Sequence, residues 1–130
     1  MSYSINKTLH GKSFEEAIDV VKAGLKEEGF GIITEIDMKD TLKKKIDVDY
    51  KKYTILGACN PTFAYRALQC EDKMGVFLPC NVVVQETENG DMKVSAINPN
   101  ETMSAVQNEA LANLAREVTE KLTRVIEHLQ

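Results

Sequence analysis

GACNPTFAYRALQCEDKMGVFLPCNV, Gly57–Val82, carries a Cys-Asn pair near each end, Cys59-Asn60 and Cys80-Asn81. How the chain travels between them decides the fold. Asn60-Pro61 opens a helix: the Asn side chain accepts from a free N–H of the first turn, and Pro has no N–H to lose there. Phe63, Ala64, Ala67 and Leu68 give that helix an apolar stripe. The strand before it covers Tyr50 to Ala58, and the strand after it Leu78 to Thr87. Pro79 lacks a ladder donor and suits a strand's first residue or an edge. If the two strands lie side by side and antiparallel, the end of one meets the start of the other, and Cys59 approaches Cys80. If a right-handed crossover makes them parallel, the thiols stand a strand length apart, roughly 20 Å.

Outward from this segment, the chain alternates between the two periods of secondary structure. Ser2 to Leu9 is a strand with Tyr3, Ile5 and Leu9 on one side and Ser2, Ser4, Asn6 and Thr8 on a wet side. Ser13 and Glu16 make a capping box for a helix that uses Phe14, Ala17, Ile18, Val21 and Leu25 and stops at Gly29. Phe30 to Ile36 is a strand, and Asp37 caps a short helix from Met38 to about Ile46. Asn89-Gly90 turns a hairpin between the Leu78–Thr87 strand and a strand from Met92 to Ile97. Ser104 with Gln107 caps a last helix that runs almost to Gln130, with Leu111, Leu114, Ala115, Val118, Leu122, Val125, Ile126 and Leu129 on its apolar face.

The order is β-α-β-α-β-α-β-β-α over a single domain, residues 1–130. Two long amphipathic helices covering one face of a five-stranded sheet give a two-layer α/β sandwich. The other face, carrying Ile33 or similar residues, is either an open surface for a ligand or partner or is covered by the short middle helices.

Composition narrows function. The chain has 130 residues and a formal net charge of −4. A domain of this size buries about two thirds of its unfolded surface and needs no metal or disulfide to fold. Nucleic-acid binding is not expected, since it requires a concentrated positive field. The run Lys43-Lys44-Lys45 is short, is followed by Asp47 and Asp49, and reads as a solvated helix end. There is no targeting signal and no apolar run of ~20 residues, so no membrane association is expected. Three cysteines at irregular spacing make no disulfide framework, which points to the cytoplasm.

Chemistry has few places to sit. Cys59, just before a helix start, is the candidate nucleophile, with Cys80 as a resolving partner if the strands allow. The only histidines, His10 and His128, are near the chain ends. Glu35 and Asp37 share strand parity and are candidate ligand-binding carboxylates, or else solvated and capping residues. Asn60 is a candidate ligand whose cap role already explains it. Asn81 is a candidate because Asn is disfavoured within a strand. Tyr53, Tyr65 and Arg66 could line an anion pocket. No CxxC or HxxxH spacing supports a metal site, and no cofactor motif is present.

The segments GFGIITEIDMKDTLKKKI, YKKYTILGACNPTFAYRALQ, MGVFLPCNVVVQE and VSAINP together resemble the family called domain of unknown function 302. The resemblance covers nearly the whole chain. It implies a β-α-β4-α fold similar to that of the TATA-box-binding protein, with a largely antiparallel sheet. It also implies a homodimer and no established activity. The family pattern marks Glu35, Gly57, Cys59, Asn60, Pro61, Ala64, Leu78 and Pro79, with Cys80-Asn81 following. The expectation is a non-enzymatic homodimer that binds a small ligand or a protein partner. A thiol-dependent enzyme or redox sensor using Cys59, and a metal-binding module, are the alternatives.

Overall fold

The computed structural model describes residues 2–130. Its five strands are β1 (Ser4–Leu9), β2 (Gly31–Asp37), β3 (Tyr53–Cys59), β4 (Cys80–Glu86) and β5 (Met92–Ile97). They form one sheet in the order β1-β5-β4-β3-β2, and every neighbouring pair is antiparallel. The helices are α1 (Phe14–Glu27), α2 (Met38–Ile46), α3 (Pro61–Cys70), α4 (Pro99–Thr102) and α5 (Glu109–Glu127), with 3-10 turns at Asp72–Phe77 and Ser104–Val106. This is the α+β two-layer sandwich expected from the element order.

One face of the sheet is the core. Leu56, Ala58, Val82, Val84, Val94 and Ala96 point from it into a cluster with Val21 and Leu25 of α1 and Leu122, Val125 and Ile126 of α5. Burying a side chain of this size contributes about 1.5–3 kcal/mol, so this layer carries the fold. A smaller cluster of Ala67, Met74, Met103, Leu111, Leu114 and Ala115 ties α3 and the turn after it to the start of α5. Lys7 crosses from β1 and donates to the carbonyls of Glu127 and Leu129, fastening the end of α5.

Local sequence rules account for most element ends. Ser13 and Glu16 form the reciprocal capping box. Gly29 takes φ +86°, and Phe30 N–H donates to the Leu25 carbonyl, closing α1 with a left-handed cap. Asn60 caps α3 by accepting from Phe63 N–H at 3.3 Å. The hairpin after β4 is present, but only Gly90 takes positive φ there.

Several boundaries differ from expectation. The last helix is not capped by Ser104 and Gln107. Ser104–Val106 is a 3-10 turn, Gln107 is left-handed at φ 55°, and Asn108 caps α5 by accepting from Leu111 N–H. Asn108 also donates to the Cys70 carbonyl, a tertiary tie that favours it over Ser104. The strands around Gly57–Val82 are shorter than their apolar runs, starting at Tyr53 and Cys80 rather than Tyr50 and Leu78.

Candidate functional site

Because β3 and β4 are antiparallel, with Ala58 opposite Cys80, the two Cys-Asn pairs come to the same end of the sheet. Cys59 and Cys80 both border a recess of about 30 Å3 between that sheet end, α3 and α5. Phe30, Phe63, Leu78, Pro79, Met103 and Leu114 supply much of its wall. Phe63 is held under two cations, with the Arg66 guanidinium 5.3 Å and the Lys121 ammonium 5.9 Å from the ring centre. Burial pushes the Cys80 thiol up to about 11, and the nearby Cys59 adds to the shift. Cys80 is therefore protonated at neutral pH. Neither histidine borders the recess: His10 pairs with Asp91 at 3.0 Å, and His128 lies at the end of α5 beside α1.

Gly57 explains why the motif begins as it does. It is buried in β3, opposite Thr34 on one side and Asn81 on the other. A Cβ there would fall on Thr34 Oγ1 and lie 2.8 Å from Pro79 Cγ. Only glycine lets the Pro79 ring and the Thr34 side chain close over β3 at this point. Asn60 meets a second such approach, its Nδ2 lying 3.0 Å from where a Gly29 Cβ would stand.

The face of the sheet opposite the core is different. Side chains alternate along a strand, so the neighbours of the buried Leu56, Val82, Val84 and Val94 point the other way. There Asn6, Tyr53, Asn81, Gln85, Lys93 and Ser95, with Val83 and Ile97, surround a hollow of about 440 Å3. Lys51 donates to Gln85 Oε1 at 2.6 Å, fixing the orientation of that amide. Desolvation pushes up the Tyr53 phenol, helped by Tyr50 and Tyr3, so it remains a neutral O–H donor. Asn81, without an explanation at the level of sequence, is exposed on this face opposite Gly57.

The candidates read from sequence thus separate into three places. Cys59, Asn60 and Cys80 are together at the recess, and Asn81 lies at the hollow. Glu35 borders neither. It sits on the core-facing side of β2 and pairs with Lys22 of α1 at 3.0 Å. Asp37 caps α2 by accepting from Asp40 N–H. Tyr53, Tyr65 and Arg66 do not converge: Tyr53 lines the hollow, Tyr65 is 66% exposed, and Arg66 pairs with Glu117. Lys43 and Lys44 are engaged with Asp47, Asp49 and Asp40, as a solvated helix end requires. Sequence reasoning did not single out Gln85, Lys93 and Ser95. Their signal was the polar parity of β4 and β5, matching the wet parity of β1.

The family model described as "Domain of unknown function DUF302" matches residues 5–129. The chain belongs to this family. Among solved structures, it is similar to one described as an uncharacterized conserved DUF302 protein from Bacillus stearothermophilus. The two share 26% identity over all of both chains, with a TM-score of 0.91. No curated protein matches the chain. The family assignment carries no activity, so function has to be argued from the hollow and the recess themselves. Among the described residues, no helix is long and apolar enough to cross a membrane.

Proposed function

We propose that this DUF302 domain is a non-enzymatic, cytoplasmic binding protein that takes a small polar molecule in the hollow of its open sheet face. The hollow carries this reading. Its volume of about 440 Å3 falls within the ~300–1,000 Å3 typical of small-molecule sites. Amide and hydroxyl groups ring an apolar floor of Val83 and Ile97, with one cation, Lys93. That pattern suits a ring-shaped ligand with one apolar face, hydrogen-bonding edges and at most one negative charge. The ring of side chains offers binding groups without a nucleophile and base paired for chemistry.

The active form in this proposal is a homodimer. β2 lies at the sheet edge and exposes Ile33 and Ile36, so a second copy can meet it there and leave the hollow free. Analytical ultracentrifugation is expected to give a dimer at micromolar concentration, and an Ile33→Asp variant a monomer. The element order also agrees with a fold like that of the TATA-box-binding protein. Its DNA binding is not part of the proposal, since a chain of net charge −4 lacks the field for it.

Saturation-transfer NMR against monosaccharides, nucleobases and small ring carboxylates tests the binding directly. A hit is expected in the wild-type protein and is expected to vanish in Ser95→Trp, which fills the hollow from β5. A complete absence of hits, or binding unchanged by Ser95→Trp, would refute it.

A further inference from the structure

We infer that the hollow selects a small hydroxylated ring carboxylate, held with its carboxylate on Lys93, Lys51 and Gln85, its ring over Val83 and its hydroxyl on Asn81. This rests on the reading of the hollow as a small-molecule site and adds what that site selects. The register lays the open face out in three bands. Gln85 stands opposite Tyr53 of β3 on one side and Lys93 of β5 on the other. Two residues back along β4, Val83 stands opposite Ile55 and Ser95. Two further back, Asn81 stands opposite Gly57, which brings no side chain to the face. Four residues of strand put about 13 Å between the Gln85 and Asn81 backbones. Side chains reaching in from both ends leave room there for one substituted ring.

The first band offers donors to an acceptor. An ammonium has no lone pair, so Lys51, 2.6 Å from Gln85 Oε1, holds the amide oxygen toward itself. The Gln85 Nε2 group is then left to donate elsewhere. Lys93 lines the hollow, and among the described residues it has no ion-pair partner. The chain has 20 acidic side chains, yet no Asp or Glu is among the residues that line the hollow. Two ammonium groups and an amide N–H2 thus meet no acceptor of opposite charge from the protein itself. A carboxylate has two oxygens and about four lone-pair sites, enough to accept from all three, and charge-assisted bonds are the strong ones.

The other two bands set the rest of the ligand. Val83 is half-buried in the middle of the hollow and gives the ring an apolar face to lie on. Asn81 closes the far end with an amide that both donates and accepts, the complement of a hydroxyl. This gives a role to a residue type that strands disfavour. A second anionic group at the Asn81 end would meet no cation, because Lys93 is the one basic residue of the lining. The hollow therefore selects a single negative charge at one end and a neutral polar group at the other.

The test is a pair of backbone-amide NMR titrations of the full chain, with para-hydroxybenzoate and with para-hydroxybenzamide, which has the same shape and no charge. The acid is expected to bind at least about 10-fold more tightly, since hydrogen bonds to a charged group are the stronger class. Lys93→Met keeps the aliphatic stem and removes the ammonium. It is expected to weaken the acid by about 10-fold and to leave the amide within about 2-fold. Lys93 is exposed, so the fold does not depend on it. Lys26, exposed on α1 in the other layer, is the control, and Lys26→Met is expected to change neither titration. Equal binding of acid and amide, unchanged affinity in Lys93→Met, or an equal loss in Lys26→Met would overturn the carboxylate assignment and leave the hollow a binding site. So would a shift with a monosaccharide or nucleobase but none with para-hydroxybenzoate. No shift with any of these probes would overturn both readings together.

Discussion

Replacing Gly57 with alanine is the sharpest local perturbation the fold offers. The new Cβ would lie 2.8 Å from Pro79 Cγ and 3.3 Å from Thr34 Cβ, and it would collide with Thr34 Oγ1. Thr34 is exposed on the edge strand, so its hydroxyl can rotate away. The Pro79 ring cannot, because its own backbone fixes it. Overpacking of this kind typically costs about 1–3 kcal/mol, and two simultaneous contacts place Gly57→Ala near ~3 kcal/mol. With a urea m-value of about 2 kcal/mol/M, the unfolding midpoint drops by ~1.5 M. Thr34→Ala removes Oγ1 and leaves the Pro79 contact, so the double variant is expected to recover about 1 kcal/mol in a double-mutant cycle. Urea unfolding followed by circular dichroism measures both. A Gly57→Ala midpoint unchanged within about 0.5 kcal/mol, or a cycle without coupling, would refute the close approach that the motif is proposed to serve.

Two further outcomes are expected. Cys80 is raised from an ordinary 9.0 to about 11 in the folded chain. Between those values the unfolded chain has lost its proton while the folded chain keeps it, so stability falls as pH rises from about 9 to about 11. At 1.36 kcal/mol per unit the loss is about 2–3 kcal/mol, and it should be absent in Cys80→Ala when urea midpoints are compared across pH. Asn108→Ala removes the cap of α5 and is expected to cost about 1–2 kcal/mol, whereas Ser104→Ala stays within about 0.5 kcal/mol, as thermal melts of the two variants would show.

Much of the fold was legible because local chemistry and global packing agree. The Ser13–Glu16 box, the Gly29 stop and the Asn60-Pro61 start are local rules that the tertiary structure leaves intact. The start of α5 was not legible, since Asn108 gains its advantage from a bond to Cys70, 38 residues away in sequence. The direction of β4 relative to β3 was undecided for a similar reason. A helix between two strands permits either direction, and only pairing along the whole register settles it.

The candidate site was half visible. The recess could be anticipated as one place once the strands were antiparallel, whereas Glu35, a candidate ligand by strand parity, borders neither the recess nor the hollow. Its partner, Lys22, belongs to α1, and that ion pair exists only after the layers pack. Asn81 stood out as a polar residue without a role, while its neighbours Gln85, Lys93 and Ser95 did not. They become a set only when β4 and β5 pair, with Val83 opposite Ser95 and Gln85 opposite Lys93.

The central claim is that the open sheet face binds a small polar molecule, and a backbone-amide chemical-shift map tests it most directly. Nitrogen-15-labelled protein would be titrated with the monosaccharide, nucleobase and ring-carboxylate set. The predicted result is a saturable shift of the Asn81, Val83, Gln85, Lys93 and Ser95 amides, with Val21 of α1 and Leu122 of α5 unmoved. Shifts confined to the helical layer, or none at any ligand concentration up to solubility, would contradict it.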